Sequence, residues 1–506
     1  MKDALPRSAK VAVIGAGTMG TGIAQVAASA GHAVYLHDAF PGACERGKKA
    51  IEKDLAALVS RGKLAADEAA AIAARVHPIH KLHAAADSAL VIEAIVEDEE
   101  AKRTLYGALE AEVASGCIIA TNTSSLSITA LARGMKHPER LVGMHFFNPA
   151  PRMALVEVVS GLFTSPEVAA QVAATANAWG KTSVQVKSTP GFIVNRVARP
   201  FYGEALRLLA EQAADPATLD ALLRDSAMFR MGPCELMDMI GLDVNLAVTT
   251  SLFQAMGYDR RYAPSLLQQE LVRAGRLGRK SGEGFYRYVD GEAGPTAAVE
   301  PTAEAAESIT LTGELAPLQA LAARLKNAGI GVKQVARSDP VEPGVARVAL
   351  SDGRSATRRA VEEHGQDFVL LDLCLDYAKA VRIGVTRAAQ CRDEPYRAVV
   401  GALQKAGFAV TPVADVAGLV VLRTVAMLAN EAADVVAQGI GSAADVDTAM
   451  RLGTNYPQGP LAWADQLGPA LVARVLANLQ AHYGEDRYRI SPALNRLRWS
   501  GGKFHA

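Results

Sequence analysis

Lys10 to Gly20 reads KVAVIGAGTMG, an apolar run broken by Gly15, Gly17 and Gly20 at G-x-G-x-x-G spacing. Val11, Ala12, Val13 and Ile14 are apolar without alternation, the pattern of a central parallel strand covered on both faces. Gly15 permits the tight turn out of the strand, Gly17 lets the backbone approach a pyrophosphate, and Gly20 lets the next helix pack closely on the strand. That helix, about Met19 to Ala30 and closed by Gly31, presents its N-terminal amides and positive dipole end to the phosphates, which makes Thr18 and Met19 further candidate contacts.

The context a dinucleotide fingerprint requires is met. A second strand, Ala33 to His37, ends in Asp38, which lies 38 − 20 = 18 residues past the third glycine. A carboxylate there accepts the ribose hydroxyls and repels a 2′-phosphate, and no Arg immediately follows it, so NAD is expected over NADP.

The 506 residues imply two to four domains with ample cores. Composition is that of an ordinary globular protein, 50% hydrophobic and 21% charged. Fifty-three basic residues balance 53 acidic ones, which gives no electrostatic reason to expect nucleic acid or a membrane surface as partner. Cys44, Cys117, Cys234, Cys374 and Cys391 are odd in number, scattered and without CxxC pairs, so they read as reduced thiols of a cytoplasmic protein and as neither a disulfide frame nor a metal site. The N-terminal MKDALPRSAK has no apolar core of a signal peptide, and no apolar run approaches a membrane span.

Further along, Cys44 to Arg61 has helical spacing with a basic face, and Ala89 to Ile95 reads as a buried strand followed by Glu97 and Lys102. Cys117 to Thr121 leads into Asn122-Thr123-Ser124-Ser125; Leu141 to Met144 is followed by His145-Phe146-Phe147-Asn148; Ala154 to Val159 carries Glu157; and Thr182 to Val186 ends the sheet. These polar residues are expected at strand ends, where open α/β sheets bind ligands. Alcohol oxidation needs a base near neutral pKa, which suits His145; Glu157 can fix its tautomer and stabilise its cation; hydroxyl and amide donors can hold the substrate oxygen.

The segments GAGTMG, IVED, NTSSLSI, GMHFFNPAPRMALVEVV, STPGFIVNR, MGPCELMDMIGLD and KSGEGFYRY, in this order over about residues 8 to 290, resemble L-3-hydroxyacyl-CoA dehydrogenases. The resemblance implies a catalytic set of Ser124, His145, Glu157 and Asn195, and an NAD site that includes Asp38, Glu97, Lys102, Asn122, Asn148 and Lys280. It places coenzyme A contacts on the helix after the second strand, where a family serine aligns with Asp54 and a lysine with Arg61. It also implies an acyl-CoA thioester substrate and a homodimer joined through the helical domain. A doubled form resembles enzymes acting on 3-hydroxyadipyl-CoA. A dehydrogenase or acetoacetyl-CoA reductase working on four-carbon chains, or a non-catalytic NAD- or CoA-binding protein, would share the same motifs.

From Lys187 the alternation gives way to helices: Gly191 to Leu209 with a kink at Pro200, Pro216 to Arg224, and Cys234 to Ile240. A repeat then appears. GLVVLRTVAMLANEAADVV from Gly418 matches GFIVNRVARPFYGEALRLL from Gly191, an offset of 418 − 191 = 227 that also takes Asp220 to Asp447, Gly232-Pro233 to Gly459-Pro460 and Asp238 to Asp465. Asn195 falls on Leu422, so the second copy lacks that donor and reads as a packing duplicate, placed like a partner's helical domain within one chain. The expected organisation is a Rossmann-type α/β dinucleotide-binding domain (1–186), an all-α domain (187–288), a linker (289–308), a degenerate α/β segment (309–410) and the repeated helical domain (411–506).

Overall fold

The computed structural model describes residues 3–289, 294–313, 316–337, 339, 341–342 and 344–505; residues 290–293 of the expected linker, 314–315, 338, 340 and 343 of the expected α/β segment, and 1–2 and 506 lie outside them. The chain divides into two compact units. One comprises the chain up to Arg196 together with Gln438–Thr454, the other Val197–Ala437 with Asn455 onward.

The first unit is built on an eight-stranded sheet of β1 (Val11–Ile14), β2 (Val34–His37), β3 (Val76–Ile79), β4 (Leu90–Glu93), β5 (Ile118–Thr121), β6 (Leu141–Phe146), β7 (Leu155–Ser160) and β8 (Thr182–Lys187), in the order β3-β2-β1-β4-β5-β6-β7-β8. Every pair is parallel except β6 with β7. All four residues of β1 are buried, as covering on both faces demands, and Val11, Val13, Ile23, Leu36, Ile92 and Val142 belong to one core. The helix after β1 spans Thr18–Ser29.

Strand β3 and the helix Ala66–Ala74 before it add to the expected elements. VHPI contains Pro78, which cannot complete a ladder on both sides; the edge of the sheet tolerates it. Two expectations shift in the region of the site. Strand β6 runs on to Phe146, so His145 is within the strand, not beyond it, and Glu157 stands in the middle of β7 rather than at a strand end. The expected helix Gly191 to Leu209 is two, Val194–Val197 and Arg199–Ala210. Pro200 has no amide to offer the carbonyl of Arg196, and Phe192 enters the first helix at φ 50°.

In the second unit a six-stranded sheet is formed by β9 (Ser308–Thr312), β10 (Gly331–Val335), β11 (Arg347–Leu350), β12 (Phe368–Leu371), β13 (Arg382–Arg387) and β14 (Ala409–Pro412), ordered β10-β9-β11-β12-β13-β14. Only β12 and β13 are antiparallel. Helix Pro216–Asp225 packs on this sheet, and the unit also contains the helices Pro233–Ile240, Leu242–Ala255 and Leu266–Arg273, the last two beyond the expected elements. The repeat is structural as well as sequential: the non-glycine left-handed positions Phe192 (φ 50°) and Met228 (φ 58°) recur as Leu419 (φ 55°) and Asn455 (φ 56°). Asp238 accepts the amides of Phe285 and Tyr286, and its counterpart Asp465 those of Phe504 and His505. Among the described residues no single helix is long and apolar enough to cross a membrane, although the bent pair Pro233–Ile240 and Leu242–Ala255 qualifies by length and composition.

Candidate active site

The strand-to-helix turn at Gly15 to Gly20 has the shape a pyrophosphate needs. Gly15 lies at φ 106°, and a Cβ there would stand 2.4 Å from the Ala94 carbonyl oxygen; a Cβ on Gly20 would stand 1.7 Å from that of Gly15. Around Gly17, by contrast, nothing lies within 4 Å of an added Cβ, and no side chain caps the helix whose N-cap it is. The Thr18 and Met19 end of that helix is open to a phosphate. At the end of β2 the Asp38 carboxylate accepts the amides of Ala16 (2.7 Å) and Phe40 (2.8 Å), so it is held beside the glycine loop by two backbone donors. These residues fit NAD: a tight glycine turn, uncapped helix amides and a carboxylate held beside them at the end of the second strand.

Antiparallel pairing of β6 and β7 places His145 directly opposite Glu157, and Nδ1 of the imidazole is 2.7 Å from the carboxylate. Both are buried, at 5% and 1% exposure. A carboxylate at Nδ1 fixes the proton on that nitrogen and leaves Nε2 as the acceptor. The other Glu157 oxygen accepts the amides of Ile193 and Val194, each at 3.0 Å, which ties the carboxylate to the first turn of helix Val194–Val197. Asn195 is the next residue, and its side-chain amide reaches the Ser124 carbonyl at 3.5 Å. Ser124, His145, Glu157 and Asn195 are thus assembled in one unit from β5, β6, β7 and the entering helix. The Phe147 and Phe192 rings border the imidazole at 4.5 and 5.8 Å between centroids.

Glu97 organises the serine turn. One of its oxygens accepts the Thr123 hydroxyl (2.7 Å), the Ser124 amide (2.9 Å) and the Ser125 hydroxyl (2.9 Å). Partial burial pushes its carboxyl up, but Thr123, Lys102, Ser124 and Ser125 together hold it below its ordinary value. Lys102, expected at the cofactor surface, is 1% exposed, with its ammonium between Glu93 (2.6 Å) and Glu97 (3.3 Å). It reaches the site through Glu97. Glu93 also accepts from Tyr106 (2.7 Å) and Thr121 (2.8 Å), and burial, with the Glu93 charge, drives the Tyr106 hydroxyl well above its usual range. Glu93 and Tyr106 were not among the expected site residues, although a glutamate inside the apolar run ALVIEAI was a readable signal; Thr123 stands in the expected polar turn.

Other expected contacts fall differently. Asn122 directs its carbonyl oxygen to the Phe146 amide (2.9 Å), which steadies the strand beside His145, and Asn148 is exposed. Arg61 is exposed at the end of helix Ala43–Ser60, whereas Asp54 accepts from Gln25 (2.9 Å). Lys280 belongs to the second unit, where it is exposed and paired with Asp243 at 2.6 Å.

Known proteins share this chain's sequence over nearly its whole length. It matches the 3-hydroxyacyl-CoA dehydrogenase NAD binding domain over residues 10–189, the 3-hydroxyacyl-CoA dehydrogenase C-terminal domain over 191–288 and again over 418–503, and the 3-hydroxybutyryl-CoA dehydrogenase reduced Rossmann-fold domain over 348–416. It is 46% identical over 479 residues, 95% of each chain, to the 3-hydroxyadipyl-CoA dehydrogenase of Escherichia coli K12. A probable 3-hydroxybutyryl-CoA dehydrogenase of Deinococcus radiodurans is also 46% identical, over 279 residues that cover 55% of this chain and 100% of that one. The crystal structure of an Escherichia coli K12 3-hydroxybutyryl-CoA dehydrogenase superposes with a TM-score of 0.87 at 43% identity, covering 98% of this chain and 99% of that one.

Proposed function

From the premise that the chain belongs to the 3-hydroxyacyl-CoA dehydrogenase family, we propose the roles of its site residues and the substrate it prefers. The enzyme is NAD-dependent and oxidises a (S)-3-hydroxyacyl-CoA thioester to the 3-oxoacyl-CoA. Bound NAD would supply the acceptor for the hydride of carbon 3, and the glycine turn and Asp38 would hold it.

The observation that carries the mechanism is the buried His145–Glu157 pair anchored on two helix amides. His145 Nε2 takes the proton of the 3-hydroxyl. Glu157 holds the ring in the tautomer that can do so and stabilises the imidazolium once it has formed. The Ser124 hydroxyl and the Asn195 amide hold the substrate hydroxyl and thioester carbonyl, so that the reacting bond meets the base in a fixed geometry, from which much of the rate arises. Glu97 keeps the serine turn in place, and the Thr18 end of the first helix, the glycines and Asp38 hold the cofactor.

For the acyl group, 3-hydroxyadipyl-CoA is the proposed substrate, because the relative of that name matches both halves of the chain, whereas the four-carbon enzyme of Deinococcus radiodurans matches little more than the first. The name carried by the Escherichia coli crystal structure supports the second reading, a four-carbon substrate. Specificity constants over a series of 3-hydroxyacyl-CoA esters decide between them. The ω-carboxylated six-carbon ester is expected to exceed 3-hydroxybutyryl-CoA at least about ten-fold in kcat/KM, and the reverse order would establish the four-carbon reading. A cytoplasmic location is the reading supported by five buried free thiols.

A further inference from the structure

The repeated helical domains are joined to the sheets crosswise. In the first unit the Lys187 amide donates to the Ile440 carbonyl (2.9 Å), and the Arg196 guanidinium to the Gln438 side chain (2.8 Å). Displaced by the repeat offset, the same two contacts occur in the second unit: the Ala414 amide donates to the Ala213 carbonyl (2.9 Å), and the Arg423 guanidinium to Glu211 (3.1 Å). Helix Ala443–Thr454, from the second copy, packs on β7 and β8; helix Pro216–Asp225, its counterpart in the first copy, packs on β13. Each copy gives the equivalent helix to the sheet of the other half, the reciprocity of an isologous interface written into one chain.

The second sheet holds no equivalent of the base. Asp372 follows β12, and its amide donates to the Gly384 carbonyl on β13, so Asp372 occupies the place of His145 and Gly384 that of Glu157. The Asp372 carboxylate accepts the amides of Val420 (3.0 Å), Val421 (2.8 Å) and Leu422 (3.0 Å), the helix start that Glu157 caps in the first unit. Imidazole, its carboxylate partner and the Asn195 amide are replaced by Asp372, Gly384 and Leu422, and a proton-accepting site is lost.

What the second half retains is its hold on the first. Helix Ala443–Thr454 lies flush on the site through Gly453, where an added Cβ would stand 2.8 Å from Leu155 and 3.0 Å from Val194. Leu155 is two residues before Glu157 on β7 and shares its face, while the Val194 amide is one of the two donors to Glu157 and Val194 precedes Asn195. We propose that the chemically silent second half serves the reaction by clamping this corner. Gly453 and Gln438 are positioning residues that seat Ile193 to Asn195 against Glu157 and keep the His145–Glu157 pair and the Asn195 amide in register. The proposal rests on the roles assigned to His145, Glu157 and Asn195.

A larger side chain at 453 displaces Val194 by about the 1 Å that can cost two orders of magnitude in rate. The test uses the full-length enzyme. Gly453→Leu is expected to lower kcat at least about ten-fold with KM for NAD within about two-fold of wild type, since the glycine turn and Asp38 are untouched. Gly453→Ala and Gln438→Leu should show smaller falls of the same kind, and Ala444→Leu, on the exposed side of the same helix, none. Adding Val194→Ala to Gly453→Leu makes room for the new side chain and should restore much of the lost kcat. Wild-type kcat in folded Gly453→Leu overturns the proposal, as does a loss that Val194→Ala leaves unrelieved. If Gly453→Leu fails to fold, unchanged kcat in both Gly453→Ala and Gln438→Leu overturns it. An inactive His145→Gln enzyme combined with a silent Gly453 series would leave the assigned roles standing and remove only the clamp.

Discussion

His145→Gln lowers kcat by about 10²-fold or more while KM for NAD stays close to the wild-type value. Glutamine fills much of the volume of the imidazole, and its amide N–H can still donate to Glu157, so the buried strand pair is not left with an unsatisfied carboxylate. What it cannot do is accept the proton of the alcohol. The loss should appear equally in kcat and kcat/KM, because the interaction removed is made only as the hydroxyl proton is transferred. The second sheet offers no rescue, since Asp372 and Leu422 stand where a second base and amide donor would be needed. Glu157→Gln is expected to reduce kcat as well. Its one carbonyl oxygen can accept from His145 or from the Ile193 and Val194 amides, and the charge that stabilises the imidazolium is gone. Steady-state rates followed by NADH absorbance, with circular dichroism to verify folding, measure both. A His145→Gln enzyme of wild-type turnover would remove His145 from the mechanism.

The second large effect is on cofactor choice. The wild-type enzyme should use NAD in strong preference to NADP, because a 2′-phosphate would bring negative charge against the Asp38 carboxylate. At about 4 Å and an effective dielectric near 20, that repulsion is of the order of 4 kcal/mol per unit charge. Asp38→Ser combined with Ala39→Arg replaces the repelling group by a hydroxyl and supplies a cation, so the ratio of kcat/KM for NAD to that for NADP should fall by about 10²-fold or more. The ratio is the quantity to read. Asp38 also accepts the Ala16 and Phe40 amides, and a serine can replace only part of that support, so efficiency with both cofactors should decline together with the change in preference. Equal wild-type efficiency with NADP would show that Asp38 does not face the ribose.

Much of the site was legible because its parts announce themselves locally. The glycines of GAGTMG, the carboxylate at the end of the next strand and the polar turn after β5 each follow an apolar run of strand length, and strand ends are where such sheets bind ligands. His145 and Glu157 were recognisable as residue types suited to proton transfer. Their positions were placed less well: both were expected at strand ends, and both lie within strands. An alternating or continuous apolar pattern carries no information on how far a ladder extends, because that is decided by the neighbour with which it pairs. Lys102 illustrates a second limit. Its charge suggested a surface contact, yet it is buried between Glu93 and Glu97, near neighbours in sequence that meet it only because the chain turns back after β4 and brings the Lys102 ammonium against both carboxylates.

By itself, then, the sequence determined the α/β alternation of the first half, the dinucleotide turn and the repetition of the helical domain, and it named the candidates for the acid–base pair. All of these are written in spacing within one segment or in the likeness of two. Only the tertiary structure decided that Glu157 faces His145 across an antiparallel pair, that helix amides far along the chain hold it there, and that Gln438–Thr454 of the second copy belong to the unit of the first sheet. Those facts depend on register and on which surfaces meet. Residues so far apart in the chain are brought together by the burial of apolar faces such as Leu155 and Val194, a driving force without direction, whose geometry exists only once the whole fold has formed.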